Sequence, residues 1–213
     1  DAGPGGSVVI ALGGPGSAGS NDGTIAVLGG ALQVLQSWDN TGTITAAADT
    51  ALYLGAPNGT WTNKGTITAA GAAVHLLGNI TRAGIGAVTR GPSTAVFLDG
   101  TLSGDLHLDA TTGSWALTGT FANGTLTTAD GAALIGDGGT LDSATIAGDL
   151  DLSGGNRLVF VRNDLTVNVP VTIGPPTNDA GHATVEFATD STLGGTGGFV
   201  FGGLGRAPRV GDS

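Results

Sequence analysis

The chain has no cysteine and no methionine, and among its 213 residues Lys64 is the single lysine and Glu186 the single glutamate. The missing cysteine excludes disulfides, thiol nucleophiles and zinc–thiolate sites together. Scarcity of Lys, Glu and Met removes the residues that favour helices, so a mainly helical fold is not expected. Basic groups are few: seven Lys and Arg stand against seventeen Asp and Glu, giving a formal net charge of −10. That balance argues against DNA, RNA or an anionic membrane as the main partner. No run approaches the ~18 consecutive apolar residues of a membrane-crossing helix, so no transmembrane segment is expected. The chain begins at Asp1 without an initiator methionine or a signal peptide, which reads as a segment processed or excised from a longer precursor.

What fills the space is glycine. Forty-one glycines follow no three-residue period, which excludes collagen. A content of 40% hydrophobic and 11% charged residues is enough to bury a core and argues against disorder. The expectation is an all-β protein, thin and repetitive.

Self-similarity supports it. Asn40/Asn63, Gly42/Gly65 and Ile44/Ile67 all keep the offset that separates Trp38 from Trp61. A second series, Leu52/Leu54, Val74/Leu76 and Val96/Leu98, advances by an equal step each time, one shorter than the first offset. Ala31-Leu32-Gln33-Val34 is an earlier instance of the same pattern, ahead of the one that begins at Ala51. Within each unit apolar and polar residues alternate, the mark of a half-buried strand. Asn58-Gly59, Asp99-Gly100, Asn123-Gly124 and Asp130-Gly131 supply turns between the strands. Such a near-constant recurrence predicts a β-solenoid with coils of about 20–23 residues, two or three short strands per coil, and equivalent side chains stacked ~4.8 Å apart.

Three segments are distinguished. Residues 1–22 form a Gly/Pro-rich lead-in whose apolar run, Ser7 to Leu12, reads as a strand, a cap or a subunit contact. Residues 23–155 hold the regular coils. In residues 156–213 the alternation from Leu165 to Ile173 gives the longest strand signal, with Pro170 at an edge, bulge or kink and Pro175-Pro176 as its end; wider, less regular coils are expected there.

Gly104-Asp105-Leu106-His107-Leu108 returns as Gly148-Asp149-Leu150-Asp151-Leu152, a separation read as two coils. Both copies resemble the G-D-L-x-L repeat of filamentous-haemagglutinin-type adhesins. Asn40-Thr41-Gly42-Thr43-Ile44 and Asn63-Lys64-Gly65-Thr66-Ile67 are similar to the N-x-G-T-I units of autotransporter passengers. The resemblance covers about residues 21–155. It implies a right-handed parallel β-helix exported to the bacterial cell surface as a stalk, adhesin or filament.

Several side chains have the character of chemical or binding groups. Asp105, His107 and Asp109 alternate onto one outward face, where carboxylates orient an imidazole in a polysaccharide-cleaving β-helix; a solvated strand face is the plainer reading. His75 shares a column with Tyr53 and Phe97 and reads as part of a stack. His182 reads as loop. Gly136 to Asp142 resembles one nonapeptide of a calcium-binding β-roll, but a lone copy reads first as an Asx-Gly corner, and no metal or other cofactor is assigned. Trp38 and Trp61, on adjacent coils, are the candidate ligand-binding pair, a stacking platform for surface glycans, with a corner shield as the alternative. The pairs Thr43/Thr45, Thr66/Thr68 and Thr125/Thr127 resemble the threonine arrays of ice-binding solenoids, with Ala87/Thr89 and Asp105/His107 breaking the register. Without a polar cap after Phe199-Val200-Phe201, both ends expose strand edges. Val8, Val9, Ile10, Phe199, Val200 and Phe201 are therefore the expected assembly contacts, to a second copy head to tail or to neighbouring modules of a longer chain. The expected function is structural and non-enzymatic, in an extracellular fibre, stalk or coat; a carbohydrate-binding or -cleaving module is the alternative.

Overall fold

The computed structural model describes residues 6–12, 18–175 and 182–202. Pro176, residues 203–213 and parts of the 1–22 segment lie outside these residues. Strands make up 57% of the chain and helix 2%, stacked in parallel as a β-solenoid of about seven turns.

Each regular coil presents three faces. The first face begins with the strand Ser7–Ala11 and continues through Ala31–Leu35, Ala51–Leu54, Ala73–Leu76, Ala95–Leu98, Trp115–Leu117, Leu134–Gly136 and Leu150–Asp151. A bridge from Leu152 to Ile173 leads to Pro170–Ile173, which pairs with Gly198–Phe201. The second face carries Trp38–Asn40 on Trp61–Asn63, and later Asn79–Thr81, Thr101–Ser103 and Thr120–Ala122. The third carries Thr24–Val27, Thr43–Ala46, Thr66–Ala69 and Val88–Arg90.

Period-2 alternation in the sequence becomes inside and outside in space. Leu52, Leu54, Val74, Leu98, Ile44 and Ile67 are fully buried, and the predicted Leu54–Leu76–Leu98 and Ile44–Ile67 ladders are in register. Burying each such side chain contributes ~2 kcal/mol. Because strands of successive coils pair directly, one misplaced residue would turn a whole column outward, and this cost fixes the register.

Coil length varies more than the sequence suggests. On the first face Ala31 pairs with Ala51, Ala51 with Ala73 and Ala73 with Ala95, steps that differ by no more than two. The steps then contract: Val96 pairs with Trp115, Trp115 with Leu134, and Leu134 with Leu150, the shortest of all. Farther on the coils widen, with Arg157 opposite Ala183 and Leu165 opposite Leu193. The two G-D-L-x-L copies are accordingly not equivalent. Leu106 stacks on Leu126 on the third face, whereas Leu150 stacks on Leu134 on the first. Shortened coils move the second copy out of phase, so the distance between the copies is not two turns.

Long corners migrate around the tube. Residues 55–60 separate the first and second faces in one coil, residues 82–87 separate the second and third in the next, and residues 109–114 close the third corner in the coil after that. The middle excursion contains the one-turn helix Arg82–Ile85, whose N-terminal Gly84 amide donates to the Thr81 hydroxyl at 3.0 Å. Predicted turn residues Asn58, Asn123 and Asp130 all adopt positive φ, a conformation that Asn and Asp tolerate better than branched side chains. Pro170 opens a strand after the break at residues 168–169, where its missing N–H interrupts no ladder within the preceding strand Arg157–Val167.

Candidate functional site

Trp38 and Trp61 sit on adjacent coils with ring centroids 5.5 Å apart and planes 10° from parallel. Only 1% and 2% of their surfaces meet solvent, however, so a sugar ring has no face to stack upon. The expected glycan platform is corrected to a core stack. Both residues occupy inward positions flanking an outward one in the burial pattern of their strands, which turns the indoles inside. The Trp61 indole N–H donates to the Leu77 carbonyl at 2.8 Å, while that of Trp38 is buried without a partner among the described residues.

Beside this stack runs a feature that the sequence alone does not reveal. The amide of Asn21 donates to Asn40 at 2.7 Å, and Asn40 donates to Asn63 at 2.7 Å. Asn63 ends the chain of amides by donating to the Ile85 and Ala87 carbonyls at 3.1 and 3.0 Å. All three side chains are buried. The donor of each amide meets an acceptor on the next coil, so the series satisfies itself without water.

On the outside of the first face, Tyr53, His75 and Phe97 stack at centroid distances of 4.3 and 4.6 Å, as expected for a ladder. His75 has a further partner: its Nδ1 lies 2.7 Å from Asp99 Oδ2. An ionised carboxylate only accepts, so Nδ1 carries the shared proton. The Thr118 hydroxyl donates to the other carboxylate oxygen. Partial burial pushes the Asp99 pKa up, but the hydrogen bonds from His75 and Thr118 and the charge attraction of His75 outweigh it and hold it below the ordinary aspartate value.

Asp105, His107 and Asp109 do alternate along one strand and its flanks, yet they do not converge. Asp105 accepts from the Thr125 amide at 2.8 Å, and His107 Nδ1 lies 2.9 Å from the Thr127 hydroxyl. Asp109 accepts from the backbone amides of Thr111 and Thr112, both at 2.9 Å, forming an Asx turn at the third corner. Bonds from the Thr112 backbone and hydroxyl, with a smaller one from Thr111, lower its pKa. Its contact with His107 is long, 3.9 Å.

The Gly136–Asp142 segment is a corner and strand start. Asp137 faces Arg157 at 3.6 Å, and Asp142 accepts from the Asn163 amide at 2.5 Å. Threonines are better aligned than the sequence implies. Thr89 pairs with Thr68, which pairs with Thr45, so Thr89 continues that column rather than breaking it; Ala87 lies before the strand.

Val8, Val9, Phe199, Val200 and Phe201 fall on the first and last strands of the first face, as does Ile10. Val9, Val200 and Phe201 are 54%, 51% and 78% exposed. Beside Arg82–Ile85 an internal void of about 10 Å³ is room for no more than one water. No family model, no curated protein and no solved structure matches the chain.

Proposed function

We propose that the chain is a structural, non-enzymatic module of an extracellular bacterial fibre, stalk or surface coat. One observation supports this reading most: apart from Asp109, which closes its own corner, the polar side chains that invite a chemical role are engaged in tying one coil to the next. Asn21–Asn40–Asn63, Asp22 with Thr41, Asp39 with Thr62, His107 with Thr127 and Asp99 with both His75 and Thr118 all join positions about one turn apart. Side chains held this way are stabilisers of a rod rather than free acids, bases or ligands. The acidic net charge keeps such a rod soluble at a surface exposed to water.

The adhesin-like motifs support the same location, with the Asn-x-Gly-Thr-Ile units that lead from the second face onto the third as their strongest part. Labelling of intact producing cells with an antibody against the chain tests the proposal. Signal on unbroken cells, removed by external protease, is expected; signal seen only after lysis overturns the extracellular role.

A further inference from the structure

Among the described residues, every large apolar side chain exposed to solvent lies in the first or last coils: Val8, Val9 and Leu28 at one end, Phe187, Leu193, Val200 and Phe201 at the other. The coils between them expose none. A random scatter of surface hydrophobics is ordinary, but confinement to two opposite ends marks surfaces built to be covered.

The first and last strands belong to the same face. Ser7–Ala11 pairs only with Ala31–Leu35, and Gly198–Phe201 only with Pro170–Ile173, so each leaves one strand edge open among the described residues. Following the register along this face gives two inward columns. One runs Val8, Leu32, Leu52, Val74, Val96, Trp115, Leu134 and Leu150. The other starts at Ile10 and Val34, passes through Leu54, Leu76 and Leu98, and reaches Leu117 and Gly136; it resumes at Leu152, opposite Ile173, and ends at Phe201. Phe199, opposite buried Val171, ends the first column in the same way.

The starting end also has a receptacle. Val8, Ile10, Ile25, Val27, Leu28 and Leu32 line an apolar cavity of about 340 Å³ at the mouth of the tube. Phe199 and Phe201, the terminal members of the inward columns at the opposite end, have the size and character to fill it.

We infer that a second copy of this chain docks its Gly198–Phe201 strand in parallel on Ser7–Ala11, pairing Val8 with Phe199, Val9 with Val200 and Ile10 with Phe201. The inward columns then continue across the junction, the phenylalanines close the mouth, and the outward Val9 and Val200 lie side by side. Winding direction is preserved because every strand pair in the described residues is already parallel, so the contact is head to tail and propagates. Both partners carry a formal charge of −10, hence association strengthens with added salt as that repulsion is screened.

The inference rests on the scaffold reading but is tested apart from it. Sedimentation of the full chain should show a mass that rises with protein concentration and with salt. Phe201→Asp, at an exposed position, should weaken association by about tenfold or more. Register is read by mixing two single-cysteine proteins, which is clean because the chain has no cysteine of its own. Val9→Cys with Val200→Cys places the sulfur-bearing residues on directly opposed positions, whereas Ser7→Cys with Val200→Cys separates their Cα atoms by about 8 Å, beyond disulfide reach. Heterodisulfides should form in the first mixture and at least about tenfold more slowly in the second. A folded monomer at all concentrations and salt levels, or equal cross-linking in both mixtures, overturns the inference. Either result leaves surface labelling of producing cells unaffected, so the two readings fail separately.

Discussion

Asn40 and Asn63, one coil apart, share a 2.7 Å hydrogen bond in a part of the core where both side chains are buried. Asn40 also accepts from Asn21, so it links the two outer amides. Replacing Asn40 with Leu strands a donor on Asn21 and an acceptor on Asn63. The expected loss is about 3 kcal/mol, at roughly 1–3 kcal/mol for each unsatisfied group. Asn40→Asp should cost at least as much, because it buries a charge against the Asn63 carbonyl oxygen. Urea unfolding at pH 7 measures both.

Acid should act through Asp99. Its pKa is held below the ordinary aspartate value, so the folded state binds this proton less readily than the unfolded chain does. The stabilisation is complete above about pH 4 and is lost as pH falls through the lowered folded value. Asp99→Asn should cost ~1 kcal/mol at pH 7, a modest figure because the pair is partly exposed to solvent. Urea midpoints of the two proteins should draw together between about pH 4 and pH 2. A gap that stays constant across that range would remove Asp99 from the acid response.

Close stacking of the corner between the second and third faces sets a contrast between two glycines. A Cβ on Gly65 would lie 2.1 Å from the Gly42 carbonyl oxygen, whereas one on Gly23, at the start of the same column, meets nothing within 4 Å. Gly65→Ala should therefore destabilise by about 3 kcal/mol or more through forced separation of the coils. Gly23→Ala should fall within roughly 0.5 kcal/mol of the parent. Thermal unfolding of the two variants decides it.

The indole pair should also respond unequally. Trp61→Phe removes the hydrogen bond to Leu77, while Trp38→Phe removes a buried N–H that has no partner among the described residues. Trp61→Phe is expected to cost about 1 kcal/mol more than Trp38→Phe. Both variants keep an aromatic ring for the stack, so the difference in urea midpoint reports the hydrogen bond. Soluble oligosaccharides should leave the tryptophan emission unchanged, since none of the three indoles, Trp115 included, is open to them.

The first-face ladders were legible in the sequence because Leu54, Leu76 and Leu98 combine strict alternation with two equal steps along the chain. The paired G-D-L-x-L copies misled for a related reason: the coils shorten from Trp115 to Leu150, and a fixed period then lands on another face. Trp38 and Trp61 showed their adjacency but not their direction, since so short a strand cannot fix which side is inward. Asn21 hid because its offset to Asn40 is shorter than that from Asn40 to Asn63, and because Ser20-Asn21-Asp22-Gly23 reads as a turn. Asp99 and Thr118 lie just past their strands, outside any alternating pattern, so only folding brings them to His75.

The wandering long corners at residues 55–60, 82–87 and 109–114 have a consequence for how this chain tolerates change. Two consecutive coils of equal length place their extra residues at different vertices, yet Ala51, Ala73 and Ala95 stay in line. Vertex length and face alignment are thus separately adjustable. Foreign peptides spliced at the exposed tips of these vertices, beside Asn58, Ala83 and Ala110, should be displayed from three sides of one shaft while the stacked faces beneath keep their order.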